Sequence, residues 1–191
     1  MNDLISRSIE FNNALINTSV TNHKSDSILL NDAIKESLNF IQSTISTKSN
    51  LYIIGNGGSA GIASHAANDF INMCDIKAIT FHDISVLTCL TNDYGYENAF
   101  KILLEKFSKK NDVLISISSS GNSPNILNAT KFFKKNHNAK VITLSGFNKS
   151  NKLRGLGDIN FWIDSHSYGI VEIAHQFILH NFADQIYNQK K

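Results

Sequence analysis

Hydrophobic positions along the chain fall into two regimes. Up to residue 47 they recur every three or four residues: Leu4, Ile5, Ile9, Leu15 and Ile16 mark a first helix, and Ile34, Leu38, Ile41 and Ile45 a second. The polar stretch Thr21-Asn22-His23-Lys24-Ser25-Asp26 separates them. From residue 50 onward short apolar runs alternate with helix-period segments. The strand-like runs are 51–54, 77–81, 113–117, 140–144 and 159–163, and the helical patterns lie at about 59–72, 84–90, 97–109, 124–136 and 169–188. Strands joined by helix-length crossovers form parallel βαβ units, which need helices on both faces of the sheet. The pattern therefore predicts one α/β domain over residues 1–191. Its core, 48–191, is a five-stranded parallel sheet sandwiched by helices, and residues 1–47 are a helical extension used in packing or in contacts between subunits.

Composition narrows the class without naming a chemistry. The 191 residues are 42% hydrophobic and 18% charged, with a net charge of +2, which is too small and too scattered to suggest nucleic acid as a partner. Asp3, Arg7 and Glu10 interrupt any leader-like apolar run, and no stretch reaches the ~18 consecutive apolar residues of a membrane span. Cys74 and Cys89 have neither disulfide-framework density nor zinc-type spacing, so they read as small buried hydrophobes in a reducing compartment, the cytoplasm by default.

Two turns carry the candidate chemistry. Gly55-Asn56-Gly57-Gly58-Ser59 follows the apolar run 51–54 directly, and Ser118-Ser119-Ser120-Gly121-Asn122-Ser123 follows 113–117, ahead of Pro124 and a helical pattern. Each places free backbone N–H groups and hydroxyls at a helix N-terminus, where the unsatisfied donors and the helix dipole both favour an anion. One serine alone reads as a cap or a turn residue; the cluster Ser118, Ser119, Ser120 and Ser123 fits the several acceptor oxygens of a phosphate. No arginine is near, the GK[ST] ending of a Walker loop is missing, and the spacing is not G-x-G-x-x-G.

Further along, His65 and Asp69 stand four apart on the helix after the first turn and share a face. Glu172, Gln176 and His180 do the same on the last helix, with His175 beside them. The two sets could hold zinc or a similar ion, or act as an acid–base pair without one. An i,i+4 His/Asp pair is also a common surface pairing, and Asn92-Asp93 reads as a polar turn with Asp93 as a cap.

Together these motifs resemble the sugar isomerase (SIS) domain and, within that family, the phosphoheptose isomerases, which act on sedoheptulose 7-phosphate. The resemblance runs through GNGGS at 55–59, His65, LTNDYGYENAF at 90–100, DVLISISSSGNSPN at 112–125, KVITLSGF at 140–147 and the helix Glu172–His180, covering roughly residues 30–190. It implies a phosphosugar aldose–ketose isomerase that yields D-glycero-D-manno-heptose 7-phosphate, a precursor of surface polysaccharide, through a cis-enediolate in a cytoplasmic homotetramer. Asn56, Gly57, Gly58, Asn92 and Asp93 would contact the sugar, with His175 counted among the substrate-binding residues. Ser118, Ser119, Ser120 and Ser123 would hold the phosphate, with Ser59 nearby. Zinc would be held by His65, Asp69, Glu172 and His180, and Asp69, Glu172 and His180 would move protons. Two of these positions depart from the family: its glutamate falls on Asp69 and its glutamine ligand on Glu172. Two other readings compete: a non-catalytic phosphosugar-binding or regulatory SIS protein, and an isomerase of another phosphosugar.

Overall fold

The computed structural model describes residues 3–136 and 139–190; Met1, Asn2 and Lys191, ends of the expected domain, lie outside the described residues. Its first helix, α1, spans Leu4–Ile16, with the Asp3 carboxylate accepting from the Ser6 N–H at 2.8 Å as an N-cap. A second, α2, spans Leu30–Thr47. Both match the periodicity. Between them the structure departs from expectation, because the polar stretch is a β-hairpin of β1 (Ser19–Asn22) and β2 (Ser27–Ile28). The Asn22 side-chain oxygen accepts from the N–H groups of Lys24 (2.8 Å) and Asp26 (3.0 Å), and Ser25 takes φ +66°. That asparagine-held turn closes the hairpin.

The remaining strands are β3 (Leu51–Ile54), β4 (Ala78–Ile79), β5 (Val113–Ser118), β6 (Lys140–Ser145) and β7 (Ile159–Trp162). With the hairpin they form one seven-stranded sheet in the order β2-β1-β7-β6-β5-β3-β4. The five expected parallel strands are all present, and β1 adds antiparallel to β7 with Val20 opposite Phe161. The expectation of five strands is therefore corrected to seven. A four-residue strand with one strongly apolar residue, Val20, leaves no legible alternation in the sequence.

Helices α3 (Gly58–Cys74), α4 (Ile84–Tyr94), α5 (Ala99–Phe107), α6 (Pro124–Asn136) and α7 (Tyr168–Asn188) complete the chain. Because successive side chains of a strand point to opposite faces, the sheet feeds two cores. Leu51, Ile53, Ile115, Ile117, Ile142, Leu144 and Phe161 pack with residues of α2, α3 and α7. Tyr52, Ile54, Leu114 and Val141 pack with Phe100 and Leu104 of α5 and Ile126 and Phe133 of α6. Every residue of β3, β5 and β7 is buried, as a sheet covered on both faces requires.

This winding fixes where a ligand can sit. After β3 the chain crosses by α3 to β4 on one side, whereas β5 pairs with β3 on the other. The C-terminal ends of β3 and β5 therefore flank a point where the strand order reverses, the place where open α/β sheets bind ligands.

Candidate functional site

Both hydroxyl- and glycine-rich turns open at that switch point. They enclose a cavity of about 230 Å³ lined by Asn56, Gly57, Gly58, Ser59, Ser118, Ser119, Ser120 and Ser123, together with Ile117, Tyr168 and Glu172. The first turn is tight: a Cβ on Gly55 would stand 2.6 Å from the Ser59 backbone, and Gly57 takes φ +51°. In the second, Gly121 takes φ +62°, and a Cβ there would meet the buried Asn151 side chain at 1.9 Å. Ser118 Oγ donates to Ser123 Oγ at 3.2 Å, and Ser120 Oγ accepts from the Asn122 N–H at 3.3 Å. Both are long bonds, easily exchanged for a ligand's oxygens. Ser119 Oγ is buried without a partner. Since a buried hydroxyl left unbonded costs roughly 1–3 kcal/mol, this one is poised for an acceptor entering the cavity.

A second constellation lies where α3 meets α7. Asp69 Oδ2 stands 3.0 Å from His180 Nδ1 and 3.7 Å from His65 Nε2, and the two imidazole rings are 4.9 Å apart, edge to face. One donor atom from each of the three residues falls within 4.8 Å of the others. Asp69 Oδ2 is buried, yet it makes no hydrogen bond, even to the imidazole beside it. Two imidazoles and a carboxylate aimed at common space, with the carboxylate oxygen unspent, match the three-ligand set of an open divalent-metal site.

Glu172 does not join them. It stands eight residues before His180 on α7, ~12 Å back along the axis, and its carboxylate lies over α3's first residue, where a Cβ on Gly58 would meet Oε2 at 2.3 Å. Three of the four expected ligands thus stand within 4.8 Å of one another, while Glu172 lines the cavity.

His175 is corrected as well. It is fully buried, its Nε2 is 3.2 Å from the Ser145 carbonyl, and it does not line the cavity, because it sits one residue off the stripe of Glu172 and Gln176. Burial pulls its pKa down to about 4, against the smaller opposing effect of that carbonyl. Its folded-state pKa is thus below the unfolded value, so the unfolded chain binds more protons between roughly pH 4 and 6.5, and stability falls as the pH drops through that window. Urea unfolding of the wild type should lose stability on the order of 3 kcal/mol between pH 7 and pH 4 from this group, and a His175→Gln variant should have a flatter profile. Equal slopes for the two proteins would exclude that role.

Asn92 and Asp93 are also placed differently from the expected turn. They form the exposed last turn of α4, bond to each other at 2.9 Å, and do not line the cavity. Asp83, not Asp93, caps this helix, accepting from the Val86 N–H at 2.9 Å. The segment reaches the site through a residue the sequence did not single out. Tyr96 donates its hydroxyl to Asn56 Oδ1 at 2.7 Å, and Asn56 exchanges a pair of amide bonds with Asn125 at 2.8 and 2.9 Å. Asn125 follows Pro124 at the start of α6, so this pair ties the two turns together. Tyr168, at the first position of α7, is another lining residue with no signal in the hydrophobic pattern.

The chain is similar to several known proteins. Residues 19–146 match the family model described as SIS domain. A phosphoheptose isomerase of Helicobacter pylori is 35% identical over 163 residues, covering 82% of this chain and 84% of the relative. One from Leptospira biflexa is 38% identical over 138 residues, covering 68% and 70%. Among solved structures, a phosphoheptose isomerase from Francisella tularensis superposes with a TM-score of 0.82 at 24% identity, covering 96% of this chain and 94% of the other, which bears on the fold.

Proposed function

The chain belongs to the SIS-domain family and, within it, to the phosphoheptose isomerases, and from that membership we propose that it converts sedoheptulose 7-phosphate to D-glycero-D-manno-heptose 7-phosphate. It is a phosphosugar isomerase. The observation that carries the assignment of roles is the unbonded Asp69 oxygen between His65 and His180, on the same pair of helices that opens at the hydroxyl-lined cavity. A regulatory phosphosugar-binding protein would need the cavity but no acid–base cluster.

Phosphate and carbonyl lie at opposite ends of a seven-carbon ketose, so the reacting carbons belong away from the phosphate. Ser118–Ser123 and the N-terminus of α6 supply the donors for the phosphate, because the Glu172 carboxylate lies against the N-terminus of α3. Glu172, the one charged side chain among the described residues lining the cavity, repels the phosphate toward the serines and faces the sugar hydroxyls. His65 stands seven residues past Gly58 on α3, ~10 Å along the axis, which places the His65–Asp69–His180 cluster at the carbonyl end.

Asp69 takes a proton from C1 of the ketose, and the C–H electron pair becomes the C1=C2 bond of a cis-enediol(ate). His180 donates a proton to the former carbonyl oxygen. Asp69 then returns its proton to C2, where the C1=C2 electron pair forms the new C–H bond, while the C1 hydroxyl gives its proton to His180, leaving an aldehyde at C1. The cluster fits zinc, held by His65, Asp69 and His180, and when bound the ion would polarise the substrate oxygens.

Metal analysis of the purified protein, with activity followed through chelation and zinc add-back, tests this reading. The expected result is activity lost on chelation and restored by zinc; full activity with no divalent ion bound would leave Asp69 and His180 as a bare acid–base pair.

The protein works as a homotetramer in the cytoplasm, supplying heptose for surface polysaccharide. In support, α1 leaves Leu4, Ile5, Ile9 and Ile16 more than half exposed, and Ile173 and Phe177 of α7 are likewise exposed. Apolar area of this extent calls for cover by another copy. Light scattering should give about four times the 21.2 kDa chain mass; a stable monomer would refute the assembly. Both cysteines are free; Cys74 is buried as expected, whereas Cys89 is exposed on α4, and no described helix is long and apolar enough to cross a membrane.

A further inference from the structure

A second cavity, of about 350 Å³, opens on the opposite side of the Ser118–Ser123 turn, between the β1–β2 hairpin and residues 149–155. Thr21, Ser27, Lys149, Ser150, Asn151 and Arg154 line most of it, and among the described residues no carboxylate does. Two cations facing hydroxyls, without an acid to neutralise them, is the composition of an anion site.

The cavity is built and not merely a surface dent. Arg154 Nη1 donates to the Lys149 carbonyl at 3.1 Å and Nη2 to Ser19 Oγ at 2.9 Å, while its guanidinium carbon lies 5.0 Å from the Trp162 ring centroid. The guanidinium is thus held in one orientation, and its buried Nε has no partner. Asn151, 6% exposed, forms a rigid wall: its amide nitrogen reaches Ser145 Oγ at 3.1 Å and the Asn148 carbonyl at 2.9 Å, and its oxygen accepts from the Arg154 N–H at 3.1 Å.

Thr21 supplies the observation that points to a ligand. It is 7% exposed, and its Oγ1 is buried with no hydrogen-bond partner. Strand alternation explains its direction, since Val20 joins the core on one face of the sheet and Thr21 must then project from the other. A buried, unbonded hydroxyl and an unpaired arginine donor, on two residues that line one cavity, are a costly arrangement that an incoming oxyanion relieves.

We propose that this cavity binds a phosphate-type oxyanion, independently of the catalytic cavity, through Arg154, Lys149 and Thr21. The two cavities share a wall, because the Leu153 N–H donates to the Gly121 carbonyl at 2.9 Å and Asn151 packs against Gly121.

Trp162 is the sole tryptophan of the chain and lies under Arg154, so its fluorescence reports on the site. Inorganic phosphate, titrated into the full-length protein at constant ionic strength, should change that fluorescence saturably. The change should persist with an unmoved midpoint in a Ser120→Ala/Ser123→Ala variant, whose catalytic turn is expected to lose roughly 10²-fold in phosphate affinity. Arg154→Gln should raise the midpoint at least tenfold. Thr21→Val, which keeps shape and removes only the unbonded hydroxyl, should raise it severalfold while leaving the folded protein at least as stable. The proposal is overturned by the absence of a saturable change in wild type, by a change that disappears in the Ser120/Ser123 variant, or by a midpoint unmoved in both Arg154→Gln and Thr21→Val.

Discussion

Replacing Asp69 with asparagine should lower kcat by roughly 10²–10⁴-fold, the usual range for loss of a positioned acid–base group. Its side chain is only 14% exposed, and its Oδ2 makes no hydrogen bond that the fold depends on. Asparagine keeps the shape but cannot accept and return a proton, and it is a poorer metal ligand. The melting temperature should therefore stay close to wild type while turnover collapses. His180→Gln should fail similarly, since His180 Nδ1 is 3.0 Å from the same oxygen. Steady-state kinetics with sedoheptulose 7-phosphate beside a thermal melt separates the outcomes. Unchanged turnover in Asp69→Asn would move the base elsewhere, with Glu172 the remaining carboxylate of the site.

The paired change Ser120→Ala/Ser123→Ala should act on binding instead. Both hydroxyls line the catalytic cavity, and their present bonds, at 3.2 and 3.3 Å, are weak. Hydrogen bonds to a charged acceptor contribute about 1.5–3 kcal/mol each, so two together bring the expected loss to roughly 10²-fold or more in affinity. Ser118, Ser119 and the N-terminus of α6 remain to hold some phosphate. The effect should appear mainly in KM or in the dissociation constant for the product. An unchanged constant, measured by calorimetry, would place the phosphate outside the Ser118–Ser123 turn.

The parts of the fold that were legible in the sequence are those where local pattern and tertiary role coincide. The runs at 51–54, 113–117, 140–144 and 159–163 are continuous because both faces of each strand are covered, and Pro124 marks the start of α6. The β1–β2 hairpin was illegible because its strands are four and two residues long and gain their order from pairing with β7, far away in the chain. Site residues followed the same division. The two turns could be placed because each stands directly after a strand, and the i,i+4 pair His65 and Asp69 because both lie on one helix.

Errors arose where a position depends on how two helices meet. Helical spacing groups Glu172 with His180, but two turns of helix separate their side chains, and α3 approaches so closely at Gly58 that Glu172 lies against the cavity. His175 neighbours the same stripe by number yet turns into the core beneath Ser145. Tyr96 and Asn125 gain their role by meeting at Asn56, which depends on contacts 40 and 69 residues apart in the chain. Spacing within one element cannot reveal such contacts.

The central claim is that Asp69 and His180 move a proton between adjacent carbons of a phosphoketose held by the Ser118–Ser123 turn. Proton NMR of sedoheptulose 7-phosphate incubated with the protein in D2O measures this directly. The account predicts deuterium at the carbons next to and at the carbonyl, the appearance of the aldose heptose 7-phosphate, and loss of both in Asp69→Asn. No deuterium and no aldose with the folded wild-type protein, or undiminished exchange in Asp69→Asn, would contradict it.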